Sequence, residues 1–158
     1  MPRRNPARSN RPRGGGVVYA TIVVPLDTSE LAEQALPHAM EIARRFGAQV
    51  ELLTVIPASL EDKLEVQAAA DTYDPRKLEA QEYLAAVAGR LSQEGIPVST
   101  VVRRGDVAEE IIDHSGHSDL VVMCTHGRSG LGRWVYGSIA DRTLRYATAP
   151  ILLVRASE

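Results

Sequence analysis

Apolar runs alternate along the chain with segments whose apolar residues recur at helical spacing. The apolar runs predict five strands, at residues 17–27, 48–57, 96–104, 118–124 and 150–155. The first intervening segment carries Leu31, Ala35, Ala39, Ile42 and Phe46 on one helical face, and three further segments also read as helices. The pattern predicts an α/β fold: a single doubly wound, five-stranded parallel sheet with helices on both faces, Rossmann-like.

Proline and acidic residues mark the predicted boundaries of these helices. Pro37 lies inside the first helical pattern and should kink or interrupt it. Asp74 precedes Pro75, which is typical of a helix start, and this helix should continue to Gly95. Asp106 and Glu109 have the spacing of a capping box, so another helix should begin there. Residues 58–73 have no clear period and read as a connection.

The architecture limits where a ligand can bind. In open parallel sheets the ligand lies beyond the carboxyl ends of the strands, where the strand order reverses. The first and fourth predicted strands are the natural neighbours at such a switch point. Their carboxyl ends are the segments Pro25-Leu26-Asp27 and Met123-Cys124-Thr125-His126-Gly127.

A glycine-rich segment, THGRSGLGRWVYGSIADR, follows the fourth strand and runs into a predicted helix at Gly137-Ser138. A loop that enters a helix N-terminus presents backbone N–H groups and the positive end of the helix dipole, which suits a phosphate. Arg128 and Arg133 are available as counter-charges. The alternative is a surface loop whose glycines only make turns. The P-loop lysine and the dinucleotide fingerprint G-x-G-x-x-G are both absent.

The segments VVPLDTSELAEQALPHA, VVRRGDVAEEIID and DLVVMCTHGRSGLGRWVYGSIADRTLRYATAPILLVR together resemble the universal stress protein family. The resemblance extends from about Val17 to Arg155. Nucleotide-binding members of that family show a glycine, two residues, a glycine, nine residues, a glycine and then Ser or Thr. This chain matches from Gly127 to Gly137-Ser138, and Cys124 stands in place of the first glycine.

The resemblance implies that an adenine nucleotide, usually ATP and accompanied by Mg²⁺, binds at the switch point. Asp27 would contact the ribose or the phosphates, and Arg128 would add positive charge. Cys124 would crowd the sugar, so we expect weakened rather than abolished binding. The remaining implied contacts are Pro25, Val55 and the Met123 backbone at the adenine, and Gly127, Gly137, Ser138 and Ile139 at the phosphates.

Several residues also have simpler interpretations. The alternative for Asp27 is that it acts only as the N-cap of a helix starting at Thr28-Ser29. His114, His117, Cys124 and His126 match no recognised zinc spacing, so no metal site is predicted. No nucleophile and base can be paired from the sequence, so no catalytic residue is predicted.

Charge is unevenly distributed along the chain. Residues 1–16 contain five arginines and no acidic residue, and this Arg/Pro/Gly-rich stretch predicts a disordered tail ahead of one domain at residues 17–156. The rest of the chain has 13 basic and 20 acidic residues, a formal charge of −7, which argues against nucleic-acid binding. No apolar run is long enough for a membrane span, and the single cysteine favours a reducing cytoplasm.

The last predicted strand should lie at a sheet edge, where its apolar residues invite pairing with another chain. We therefore expect a homodimer through Ile151, Leu152, Leu153 and Val154, and the resemblance implies the same. The sequence predicts a nucleotide-binding regulatory protein of the stress response that acts on a protein partner. The alternatives are a slow ATPase and a nucleotide-free dimeric interaction protein.

Overall fold

Five parallel strands and their connecting helices account for most of the chain in the computed structural model, which describes residues 19–58, 74–125 and 137–157. The strands are β1 (Thr21–Pro25), β2 (Gln49–Pro57), β3 (Val98–Gly105), β4 (Leu120–Thr125) and β5 (Ile151–Arg155). The helices are α1 (Glu30–Glu33), α2 (Leu36–Phe46), α3 (Pro75–Ser92), α4 (Val107–Ser115) and α5 (Ser138–Tyr146). The predicted tail, most of the 58–73 connection and residues 126–136 of the glycine-rich segment lie outside the described residues.

The strand order in the sheet is β3-β2-β1-β4-β5, and every neighbouring pair is parallel. β1 therefore lies between β2 and β4, with Ile22 opposite Leu120 and Val23 opposite Val121. The chain moves outward from β1 in one direction through β2 and β3, and in the other through β4 and β5. This is the reversal of strand order that the sequence predicted between the first and fourth strands, and it confirms the doubly wound fold.

Side-chain alternation along the strands divides the core between the two faces of the sheet. Ile22 and Val24 of β1 pack in the larger core cluster, which also holds buried residues of α1, α2 and α3. Val23, between them, packs on the other face with Ile111 of α4. On that same face Met123 of β4 packs against Ala140 of α5. Helices therefore cover both faces, which explains why the central strands β1 and β4 are nearly continuous apolar runs.

The first helical segment is interrupted, as predicted, but the break precedes the proline. α1 ends at Glu33, and α2 begins at Leu36 with Pro37 in its first turn. A proline is well accommodated there because the first N–H groups of a helix have no partner within the helix. The predicted starts of two other helices are confirmed: the Asp74 side chain accepts from the Arg76 amide, and that of Asp106 from the Glu109 amide, each at 3.0 Å.

Candidate functional site

A cavity of about 600 Å³ opens at the carboxyl ends of β1, β2 and β4. This volume is within the range of about 300–1,000 Å³ that is usual for small-molecule sites. Its floor comes from the strand ends and its walls from the helices: Ala32 of α1, Ala80 of α3, Ile111 of α4 and Ala140 of α5 all line it. The cavity is therefore at the switch point between β1 and β4, where the sequence placed the ligand site.

Most of the residues proposed from the sequence meet at this cavity. Gly127 and Arg128 lie outside the described residues. The other eight line the cavity together, although they come from four different elements or their ends: Pro25, Asp27, Val55, Met123, Cys124, Gly137, Ser138 and Ile139.

Asp27 stabilises the turn that leads from β1 into α1, but it is not the N-cap of that helix. Ser29 is the N-cap, because its Oγ accepts a hydrogen bond from the Ala32 amide at 3.1 Å. Asp27 Oδ1 accepts in turn from the Ser29 amide at 3.1 Å and from the Ser29 hydroxyl at 2.5 Å. The interpretation of Asp27 as a simple cap was therefore wrong: it orients the residue that caps.

Thr28 has a left-handed backbone conformation, with φ at +69°, between Asp27 and Ser29. A β-branched residue rarely adopts this conformation, which costs on the order of 1–3 kcal/mol. The two hydrogen bonds from Ser29 to Asp27 close the turn around Thr28 and hold it in place. Thr28 also lines the cavity, so the strained backbone forms part of its wall.

Cys124 borders the cavity but directs its side chain into the core. It belongs to the larger core cluster with Ala35 and Leu36, on the sheet face opposite α5. Burial raises the pKa of its thiol, the Ala35 backbone has a smaller opposing effect, and the negative charge of Asp27 raises it further. The thiol is therefore protonated at neutral pH and behaves as a packing group.

Helix α5 begins at the cavity. Its N-cap, Gly137, has no side chain to cap the helix, in contrast to the Ser29, Asp74 and Asp106 side chains that cap α1, α3 and α4. The first N–H groups of a helix lack intrahelical partners, and the dipole adds partial positive charge at the same end. Gly137 and Ser138 thus present to the cavity a helix end suited to an anion.

A second cavity of about 330 Å³ lies beside the first and shares Pro57, Val107, Ser138 and Ile139 with it. Arg142 of α5 lines it and contacts both oxygens of Asp106, at 2.9 and 3.1 Å. The pKa of Asp106 is lowered, first because the Glu109 amide donates to its carboxylate and then by Arg142, with burial acting in the opposite direction. Asp106 is therefore a carboxylate at neutral pH.

The structure adds cavity residues that sequence reasoning missed. Arg76, Glu79 and Ala80 come from the first turns of α3, and Val107 and Ile111 come from α4. The start of α3 at Asp74-Pro75 was recognised, but nothing local to that segment indicates which strand ends it approaches. That information resides in the strand order, which the residue pattern specifies only in part.

The buried His114 makes contacts that explain it without a metal. Its Nε2 lies 2.6 Å from Glu51 Oε1 and its Nδ1 lies 3.2 Å from the Arg103 guanidinium. Arginine can only donate, so Nδ1 accepts and Nε2 carries the hydrogen that Glu51 accepts. Within the described part of the chain, no three His, Cys, Asp or Glu side chains are grouped so that they could hold a metal ion. His126 lies outside the described residues.

None of the described helices combines the length and the apolar composition that crossing a bilayer requires.

Comparison with known proteins gives a consistent result. Residues 19–155 match the model of the universal stress protein family. The universal stress protein MJ0531 of Methanocaldococcus jannaschii is 33% identical over 146 residues, covering 90% of this chain and 86% of that protein. The solved structure of the hypothetical protein MJ0577 superposes with a TM-score of 0.70 at 25% identity, covering 89% of this chain and 99% of that one.

A universal stress protein from Archaeoglobus fulgidus, solved in complex with dAMP, has the same fold. It superposes with a TM-score of 0.65 at 23% identity and covers 86% of this chain and 98% of its own.

Proposed function

The chain belongs to the universal stress protein family, and we propose that it is a regulatory protein of the stress response whose cavity between β1 and β4 binds an adenine nucleotide, in particular ATP. One observation carries this proposal. Eight residues chosen from the sequence for nucleotide contact line a single cavity of about 600 Å³.

The lining suits the separate parts of a nucleotide. Pro25, Val55 and Met123 offer apolar surface to a flat base, and the Asp27 carboxylate, which also lines the cavity, would accept hydrogen bonds from ribose hydroxyls. The N-terminus of α5 provides an anion site for the phosphates, at Gly137 and Ser138. The dAMP complex of the A. fulgidus protein makes adenine nucleotides the class to test first.

Cys124 should weaken this binding without preventing it. Its side chain packs with Ala35 in the core cluster on the sheet face opposite α5, so the sulfur is directed away from the helix that would hold the phosphates. The thiol is nevertheless at the cavity border, and it favours the second candidate function: a dimeric interaction protein that binds no nucleotide.

Calorimetric titration with ATP and Mg²⁺, with AMP as a comparison, tests the proposal. The double variant Gly137→Ala, Ser138→Ala should lose ATP affinity about tenfold or more, because it removes a hydroxyl and fills the helix end. The fold should survive, since a Cβ at Gly137 meets no heavy atom of the described residues within 4 Å.

The chain offers a matched control in Gly89→Ala, Ser92→Ala. Both residues are exposed on α3, and within the described part of the chain a Cβ at Gly89 also meets no heavy atom within 4 Å. If both double variants bind ATP as the parent does, the site is wrong. If the parent binds no nucleotide, the alternative function, a nucleotide-free interaction protein, is favoured. If ADP is released with time, the protein is a slow ATPase.

We also propose that the chain forms a homodimer through β5. Among the described strands β5 pairs only with β4, and it lies at the edge of the sheet. Its Ile151, Leu152 and Leu153 are only partly buried. An apolar strand at an edge invites pairing with a second copy about a two-fold axis.

Leu153→Pro tests the dimer with little effect on the sheet. The Pro150 carbonyl and the Ala156 amide bond to β4, so by strand alternation the Leu153 amide points away from it. Proline is tolerated where an edge strand's N–H faces outward. Analytical ultracentrifugation should show a dimer for the parent and a monomer for the variant with an unchanged circular dichroism spectrum. A variant that remains dimeric rules out β5 as the interface.

In this proposal nucleotide occupancy sets the surface that is offered to a regulatory protein partner in the cytoplasm. In a pull-down, the nucleotide-loaded parent should capture the partner. The Gly137→Ala, Ser138→Ala variant is the control and should not capture it.

A further inference from the structure

A ligand bound in the first cavity can extend into the second, which lies beside it. Ser138 and Ile139, in the first turn of α5, line both cavities. If the phosphates of a nucleotide begin at this turn, as the proposed function holds, a single phosphate is accommodated at the junction. A longer phosphate chain has the second cavity to occupy.

Arg142 is the one basic side chain among the described residues that line this second cavity. It follows Ser138 and Ile139 by about one helical turn, so it lies on the same side of α5. Its guanidinium reaches across to α4, where it contacts Asp106 at 2.9 Å and Glu109 at 3.3 Å. The Arg142 side chain is 42% exposed, and ion pairs at this exposure contribute little to stability. Arg142 can therefore exchange partners at low cost.

Asp106 keeps its position without Arg142. Its carboxylate caps α4 by accepting from the Glu109 amide at 3.0 Å, and this bond is local to α4. A terminal phosphate in the second cavity would therefore meet a fixed negative charge. Like charges at close range repel, so the phosphate needs a cation between it and Asp106. Arg142 contacts Asp106 and lines the same cavity, so it is placed to supply that cation.

We propose that Arg142 is the residue by which this site distinguishes nucleoside di- and triphosphates from monophosphates. It exchanges part of its contact with Asp106 and Glu109 for the phosphates beyond the first. This inference rests on the proposed nucleotide site and adds to it a preference for long phosphate chains. Asp106 opposes the exchange, so the two residues together set the preference.

Titration of four proteins with ATP and with AMP, at fixed Mg²⁺ and ionic strength, tests this role. Arg142→Ala should weaken ATP binding about tenfold while AMP affinity changes by no more than about twofold. Asp106→Asn should have the opposite effect and tighten ATP binding, since asparagine still caps α4 but no longer holds Arg142 by charge. Arg145→Ala is the matched control, because Arg145 pairs with Asp141 on the same helix and lines neither cavity. It should bind as the parent does.

Each other outcome overturns the inference in a recognisable way. Equal losses of ATP and AMP affinity in Arg142→Ala indicate a structural role, and equal losses in Arg142→Ala and Arg145→Ala indicate net charge alone. An ATP preference that disappears in EDTA in every variant assigns the discrimination to a divalent cation. A parent that binds both nucleotides equally has no such preference, whereas a parent that binds neither refutes the proposed function itself.

Discussion

At the scale of single residues, the buried contact between His114 and Glu51 makes the fold sensitive to acid. His114 donates a hydrogen bond to Glu51, and this contact lowers the pKa of the carboxyl group below its usual 4.5. Burial acts in the opposite direction, while the electrostatic influence of the nearby His114 and His117 rings and a hydrogen bond from the Ser99 hydroxyl lower the pKa further. The stabilisation is therefore complete above pH 4.5 and is lost as the pH falls through the lowered pKa.

Glu51→Gln removes this titration. We expect the variant to be less stable at pH 7 by about 1–3 kcal/mol, because it loses a charged hydrogen bond. Below pH 4.5 its free energy of unfolding should fall less steeply than that of the parent. Urea denaturation between pH 7 and pH 3 measures both effects. Glu41→Gln, at an exposed helical ion pair with Arg45, is the control and should leave the acid slope unchanged. A Glu51→Gln slope equal to the parent's would contradict the assignment.

His114 also shows why sequence alone could not assign every polar residue. Neither a metal site nor any other role was predicted for His114, and in the structure its partners are Glu51 on β2, 63 residues away, and Arg103 on β3, 11 residues away. The periodicity of β2 and α4 places Glu51 and His114 on facing sides of these elements. Which residue meets which depends on the packing of α4 against β2 and β3, and no local pattern specifies it.

At the scale of elements, α1 depends on its cap more than the longer helices do. It has only four residues, and a helix this short is not stable by itself. Ser29→Ala removes the hydroxyl that accepts from the Ala32 amide, so the variant should be destabilised by about 1 kcal/mol. Thermal denaturation should show this loss for Ser29→Ala and much less for Ser29→Thr, which retains a capping hydroxyl. Equal losses in the two variants would mean that the cap contributes nothing.

The same turn marks the limit of element prediction. Asp27, Thr28 and Ser29 are all residues that can cap a helix, so composition could not select among them. In the structure Ser29 is the cap, and the turn before it starts from Leu26, whose amide donates to the Leu53 carbonyl of β2 at 2.8 Å. The strands were predictable because burial on both faces requires continuous apolar runs. Their ends, and the break before Pro37, depend on tertiary contacts.

At the scale of the whole molecule, a contact between two helices joins two walls of the cavity. The Tyr83 hydroxyl on α3 donates to Glu33 Oε1 on α1 at 3.0 Å, and Arg90 contacts the other Glu33 oxygen at 2.8 Å. Burial and the negative charge of Glu33 raise the pKa of Tyr83, so the phenol stays protonated and donating at every physiological pH. Ala32, which precedes Glu33 on α1, lines the cavity. Ala80, which precedes Tyr83 by one turn of α3, lines it too.

Tyr83→Phe tests whether this contact holds the walls in place. The variant keeps the ring and loses one hydrogen bond to a charged group, so the free energy of unfolding should fall by about 1–2 kcal/mol. Hydrogen exchange should quicken at the Ala32 and Glu33 amides, since α1 loses its part-buried hydrogen bond to α3 and keeps only the exposed contact between Glu33 and Arg90 beside the apolar packing. Tyr146→Phe is the control, because Tyr146 is 66% exposed at the end of α5, and neither quantity should change in it. If Tyr83→Phe loses stability but exchange in α1 remains at the parent's rate, the contact stabilises the protein without restraining the cavity wall.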